Sequence, residues 1–274
     1  MLRLENIDWM APYAYSIVLL GFAFFLFHVF ENWYANVMNK PLFRYILIYK
    51  KLNKEEIEVL KKGFYFYNLL SIKEQRQFQH RIVMFISQKK FVGRQEMKVD
   101  KKMKLLIAAT ACMLSFGRRN YNYGLIDYIL LYPNEFYSTV NQANHKGEFN
   151  PRERALVLSW KHFEKGYKIT DDNLNLGIHE FMHAMQLEAM QSRDVDSLRF
   201  QKHFQNILKR LTVQEVRDTL DKTRYFRNYA FTNQYEFMAV LAEYFIESPN
   251  DFKEHFPELY KYTRQLLNFT FAGY

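Results

Sequence analysis

From Trp9 to Phe30 the chain carries no Asp, Glu, Lys or Arg. Coiled as a helix, those residues reach about 33 Å at ~1.5 Å per residue, enough for a hydrocarbon core of ~30 Å. So long a charge-free run needs an apolar environment over its whole length, and this separates it from the rest of the chain. Trp9, Tyr13 and Tyr15 at one end and Trp33 and Tyr34 at the other match the aromatic belts of membrane interfaces. A cleaved leader fits less well. Glu5 and Asp8 stand beside the lone Arg3, and no small-x-small site follows the apolar run. Arg3 precedes the run, whereas Lys40, Arg44, Lys50, Lys51 and Lys54 follow it. That imbalance places the body on the cytoplasmic side of the cell (inner) membrane, behind a single pass. The expected organisation is an anchor over 1–35, a juxtamembrane linker over 36–64 and one domain over 65–274. Within the linker, residues 43–49 lie against the membrane or dock on the domain.

The body reads as helical. Only 9 Gly and 6 Pro occur in 274 residues, against 49% hydrophobic content, which disfavours disorder and turn-rich β folds. Ser71 and Glu74 form a capping box ahead of the apolar series Phe78, Ile82, Phe85 and Ile86. Asp100 caps a helix over 101–114. Further helices are expected over 55–62, 173–191, 234–247 and 257–268, and Thr212 with Glu215 forms a second capping box opening a helix to Lys222. Two β-rich runs, 127–132 and 154–160, interrupt the helices. The single cysteine, Cys112, excludes an intrachain disulfide, fits a reducing compartment and reads as a small buried hydrophobe. The net charge of +9 is spread along the chain. Its densest cluster, Lys98, Lys101, Lys102 and Lys104, reads as a solvated helix face. No nucleic-acid-binding signature accompanies it, so no nucleic-acid partner is expected.

The chemistry concentrates at His179-Glu180-Phe181-Met182-His183. Histidines four apart on a helix share a face, so both imidazoles can turn to one ion. Glu180 points away from the pair and is placed to take a proton from a water that the ion holds. With 8 histidines in the chain, chance alone supplies roughly 0.016 such matches. The competing reading is a solvated or hydrogen-bonded histidine pair. Leu174, Leu176, Ile178, Phe181, Met182 and Met185 around the motif argue for a buried helix, where imidazoles need partners.

A zinc ion that keeps one position for water needs a third protein ligand. No histidine follows closely. Glu236 and Glu243, seven apart on the apolar helix over 234–247, share one face, and spacing does not choose between them.

Several blocks resemble the Mlc titration factor A (MtfA) family of gluzincin-type zinc peptidases. They are residues 106–112, 129–136 and 157–160, the motif block 175–183, Tyr229, and the block 236–245. The resemblance covers roughly residues 65–265. It implies an α+β fold, a mostly helical zincin-like metallopeptidase domain with a small β-sheet, here preceded by one N-terminal transmembrane helix. Such domains set an antiparallel edge strand beside the active-site helix, and one of the two β-rich runs is expected to supply it. The resemblance also implies Zn2+ held by His179, His183 and Glu236, with Glu180 and Tyr229 catalytic and Glu243 as an acceptor for a ligating histidine. A peptide or protein substrate, aminopeptidase-like action and a regulatory protein partner follow from it. The competing function is a zinc-containing regulator that sequesters a partner at the membrane without catalysis. One departure stands out, because Gln186 occupies a position where the family commonly carries Asp.

Overall fold

The computed structural model describes residues 10–38, 49–138, 142–169 and 171–274. Trp9, Arg3, Lys40, Arg44 and residues 43–48 of the linker lie outside the described residues. Contacts divide the chain into two units, Met1–Arg44 and Tyr45–Tyr274.

The first unit is helix α1 (Ala11–Met38). Residues 11–31 within it are long and apolar enough to cross a membrane. Its large apolar side chains from Tyr13 to Phe30 are exposed, so this helix has not buried its hydrophobic surface in protein.

The second unit is mostly helical, with one small sheet. It opens with α2 (Lys54–Gly63), α3 (Tyr65–Leu69) and α4 (Ile72–Gln88). Leu60 of α2 is fully buried in the core. The Ser71 capping box forms as its sequence predicts: the serine hydroxyl accepts from Glu74 N–H, and the Glu74 carboxylate accepts from Ser71 N–H at 2.8 Å. Strand β1 (Lys90–Gly93) leads through α5 (Lys101–Leu114) to β2 (Tyr128–Tyr132). β2 lies parallel to β1, so α5 is the crossover that parallel strands require. A hairpin, β3 (Phe136–Ser138) and β4 (Ala143–His145), precedes β5 (Gly147–Asn150) and β6 (Ala155–Ser159). The sheet order is β1-β2-β6-β5, with β6 parallel to β2 and β5 antiparallel to β6.

Both β-rich runs are therefore interior strands, and neither supplies the edge. All five residues of β6 are buried, as expected of a strand covered on both faces. The edge beside the site is β5, whose Gly-Glu-Phe-Asn sequence lacks the β-branched residues that mark strands.

After β6 come α6 (Trp160–Lys168), α7 (Leu176–Gln191), α8 (Val195–Leu211), α9 (Gln214–Thr223), a 3-10 turn (Asn228–Phe231), α10 (Gln234–Glu247), α11 (Pro249–His255) and α12 (Pro257–Leu266). The Thr212 capping box does not form. Thr212 closes α8 instead, donating its hydroxyl to Lys209 C=O at 2.7 Å, and α9 starts at Gln214 without a side-chain cap. A short helix-to-helix turn won the threonine that the box pattern assigned to the next helix.

α7 is the centre of the body. It packs on α5, α6, α8 and α10 and touches β5 and β6. Gly177 permits the close approach: a Cβ there would fall 2.6 Å from the Phe163 ring and 3.0 Å from Thr110. Ile178, Phe181, Met182 and Met185 are buried as their pattern predicts, whereas Leu174 is exposed. Cys112 is fully buried in α5, and burial pushes its thiol up to about 12.

Candidate metal centre

Two capped helix starts set the site. Asn175 accepts from Ile178 N–H at 3.1 Å and begins α7 one turn before His179. Asn233 accepts from Tyr235 and Glu236 N–H at 2.8 and 3.0 Å and begins α10, which leaves Glu236 in the first turn. An acidic side chain there is favoured by the helix dipole.

These starts bring His179, His183 and Glu236 together. The two Nε2 atoms are 3.1 Å apart. Glu236 Oε2 lies 2.9 Å from His179 Nε2, and Oε1 lies 3.4 Å from His183 Nε2. Atoms bound to one tetrahedral ion at ~2.0–2.1 Å stand about 3.3 Å from each other, so the three side chains fit a metal of this kind.

Glu243, one helical repeat along α10, is almost fully buried. Its Oε1 lies 2.7 Å from His179 Nδ1. A carboxylate can only accept, so Nδ1 carries the proton and Nε2 keeps its lone pair in the neutral imidazole. The 2.9 Å between Nε2 and the Glu236 carboxylate is filled by a second ring proton when no metal is bound, and a metal cation can take that proton's place.

Residues 40–267 match the family described as glucose-regulated metallo-peptidase M90. The chain belongs to this family. It includes Mlc titration factor A, as the sequence blocks anticipate. The chain is also similar to an uncharacterized protein of Synechocystis sp., with 27% identity over 220 residues, 73% of this chain and 78% of the relative. An M90 peptidase is a metal-dependent hydrolase of peptides, and the His-His-Glu group is where this chain could hold the metal.

The electrostatics of this M90 site favour positive charge at its centre. Burial opposes a charge on His179, but hydrogen bonds to Glu236 and Glu243 outweigh it and push its pKa up to about 10. Burial likewise works against an ionised Glu236, yet both histidines hold it far below the usual carboxylate range. Glu180 is buried too, and desolvation raises its pKa against the pull of His179 and His183.

Glu180 faces strand β5. A Cβ on Gly147 would fall 2.6 Å from Glu180 Oε1 and 2.7 Å from its Cγ, so only glycine lets the strand pass this close. Tyr229 sits on the 3-10 turn, half exposed, with its ring 5.9 Å from that of His179. Burial and the neighbouring Glu236 raise its pKa, so its hydroxyl stays a donor. These residues line a cleft of about 400 Å³ that His145, Lys146 and His162 extend.

Three supporting residues escape the sequence reading. Arg227 donates from Nη2 and Nη1 to the two oxygens of Glu243, at 2.6 and 3.1 Å, and from Nη1 to Asn173 C=O. Asn175 N–H donates to Glu243 Oε2 at 2.9 Å. Gly147 is the third. Arg227 lies two residues before Tyr229, and Asn175 is a common capping residue at a helix start. Asn175 also opens the block 175–183 that carries the resemblance, which does not by itself reveal its bond to Glu243. Gln186 is buried and donates to Tyr235 C=O at 3.2 Å, tying α7 to the first turn of α10. An ionised Asp in its place would have no donor for that bond.

Proposed function

We propose that this chain is a membrane-anchored zinc peptidase of the gluzincin type, with aminopeptidase-like action and a zincin-like body facing the cytoplasm. The convergence of His179, His183 and Glu236 beside a buried Glu180 carries this reading.

His179, His183 and Glu236 hold the zinc, whose preference for imidazole and carboxylate donors suits this set. When bound, zinc supplies Lewis acidity to the scissile carbonyl and to the attacking water. Glu180 takes a proton from that water and later delivers it to the leaving amine. Burial raises its pKa, which favours its taking up that proton. Tyr229 donates its hydroxyl to the developing oxyanion. Glu243 accepts the Nδ1 proton of His179 and keeps Nε2 directed at the site, and Arg227 balances the Glu243 charge. The outer edge of β5 offers backbone groups to an extended peptide, which would add to the sheet as another strand. Gly147 keeps that strand within reach of Glu180.

The anchor rests on the exposed apolar surface of α1 and its length. The cytoplasmic orientation rests on the Lys and Arg that follow the helix. A peptide or protein is the substrate, and a regulatory protein partner accords with the family resemblance.

The test compares wild type with Glu180→Gln for zinc content and peptide hydrolysis. Retained zinc with turnover lowered by roughly 10²–10⁴-fold supports the reading. Equal turnover in both would remove Glu180 as the base, and zinc bound with no hydrolysis by either would favour a non-enzymatic regulator.

A further inference from the structure

The parallel strands all leave the sheet at one end. β1 is parallel to β2 and β2 to β6, so Gly93, Tyr132 and Ser159 finish there, and β5, antiparallel to β6, begins there at Gly147. Neighbouring strands lie ~4.8 Å apart, which makes this end about 14 Å wide. The metal cleft opens on it, since Glu135, Lys146, Gly147, His162 and Lys165 line the cleft. Helix α5 starts at the same end. Lys104 in its first turn sets Nζ 5.8 Å from the centre of the Phe91 ring on β1.

This end is basic. Arg94, Lys98, Lys101 and Lys102 lie on the segment from β1 into α5, and Lys146 directly precedes β5. Lys161 and Lys165 stand on the first turns of α6. All of these side chains are exposed. Among the described residues, only Lys165 of this set has an ion pair, a long one of 3.9 Å to Asp172. The acids of the same segments are Glu96, Asp100, Glu135 and Glu164. Two of them are committed elsewhere: Asp100 caps α5 by accepting from Met103 N–H at 2.7 Å, and Glu164 pairs with Lys168 at 3.2 Å. Glu135 lies 3.5 Å from His162. Around that histidine the cations prevail. Burial lowers the His162 pKa, Lys146 lowers it further, and Glu135 opposes Lys146, Lys161 and Lys165 without cancelling them. Like charges gathered with so little pairing repel one another, and an anionic partner removes that cost.

We propose that this end of the sheet is a docking face for an acidic stretch of the polypeptide whose scissile bond enters the metal cleft. This rests on the peptidase reading of the cleft and names the class of substrate that the cleft takes. A peptide added along the outer edge of β5 passes Gly147 and the neighbouring Lys146. Asp or Glu side chains close to the scissile bond then meet Lys146, Lys161 and Lys165. About five extended residues, at ~3.3 Å each, span the width of the sheet end. A stretch of that length meets the α5 lysines as well. Such a face draws in acidic chains and turns away basic ones. Its charges are exposed, so its selectivity falls with ionic strength, the screening length being ~10 Å at about 0.1 M salt.

Fluorescence anisotropy of labelled peptides tests this, on the full-length, metal-loaded Glu180→Gln protein in phosphatidylcholine nanodiscs, so that no peptide is consumed. A peptide rich in Glu is compared with its counterpart in which every Glu is Gln. The acidic peptide is expected to bind at least about ten-fold more tightly at about 0.05 M salt and to lose most of that preference at about 0.5 M. Lys101→Glu with Lys102→Glu, and separately Lys146→Glu with Lys161→Glu, reverse exposed charges and leave the core untouched. Each pair is expected to weaken the acidic peptide about ten-fold and to leave the Gln peptide unchanged. Equal binding of the two peptides, a preference insensitive to salt, or full affinity in both double variants would overturn the proposal. Complete loss of acidic-peptide binding in phosphatidylserine nanodiscs would assign the face to the lipid surface and equally overturn it. Failure of the peptidase reading shows separately, as absent hydrolysis of both peptides by wild type, and leaves these binding outcomes decisive.

Discussion

Glu243 Oε1 holds His179 Nδ1 at 2.7 Å, and that contact determines which nitrogen of His179 turns toward Glu236. The pair joins α10 to α7 beside the group of His179, His183 and Glu236. Glu243→Gln keeps the size of the side chain but loses the charge that favours the Nδ1 proton. Partners of this kind typically contribute about 10–100-fold in metal affinity. Competition with a chromophoric chelator should show a loss in that range, and unchanged affinity would remove Glu243 from the account.

Arg227 neutralises Glu243 in a site where water reaches neither partner well: the Glu243 side chain is 1% exposed and that of Arg227 25%. Arg227→Met leaves a buried carboxylate uncompensated and should destabilise the protein by about 3 kcal/mol, at the low end for broken buried pairs because Arg227 is partly solvated. Adding Glu243→Gln should recover part of that loss. Denaturant unfolding of the single and double variants reads the coupling, and strictly additive effects would argue against a functional pair.

Gly147 faces Glu180 so closely that any side chain must displace the carboxylate or the strand. Gly147→Val should lower turnover by at least about ten-fold, since small misplacements of a reacting group are costly. Zinc content should stay the same, because the atoms nearest a side chain at this position belong to Glu180 and Leu176 rather than to His179, His183 or Glu236. Full turnover in the variant would show that β5 does not control Glu180.

Much of this arrangement could be read in the sequence where a signal is local. The histidine pair, the Ser71 cap and the span of α10 depend on spacings within one or two turns, and they form as read. The Thr212 cap failed because the threonine hydroxyl had a nearer carbonyl in its own turn. The β5 edge carried no strand signature, since a glycine is needed at Gly147 for its contact with Glu180 rather than for strand propensity. Arg227 is one of 38 basic residues, and only the folded chain shows that it meets Glu243. The choice of Glu236 over Glu243 likewise depends on how α10 lies against α7, which no spacing within α10 encodes.

Gln186 donates to Tyr235 C=O, while its own Oε1 is buried and unpaired. Gln186→Glu replaces the donor with an acceptor facing a carbonyl, and should cost about 1–3 kcal/mol of stability. Gln186→Leu removes the unpaired oxygen together with the donor and should stay within about 1 kcal/mol of wild type. The reverse order in chemical denaturation would contradict this.

Glu247 gives the fold a defined pH dependence. Its pKa rises from 4.5 to about 8 on folding, chiefly through burial. The folded state therefore holds the proton more tightly, and stability is lost as pH rises from 4.5 through 8. Glu247→Gln removes that loss. The Tm of the variant relative to wild type should climb across this window, whereas a constant difference would show that the group is not buried as described.

The central claim is that His179, His183 and Glu236 form one metal site. Equilibrium dialysis of zinc against wild type, Glu236→Ala and Glu243→Ala tests it most directly. One tightly held equivalent in wild type, lost in Glu236→Ala and retained with reduced affinity in Glu243→Ala, is the expected result. Zinc held equally well by Glu236→Ala but lost from Glu243→Ala would contradict it.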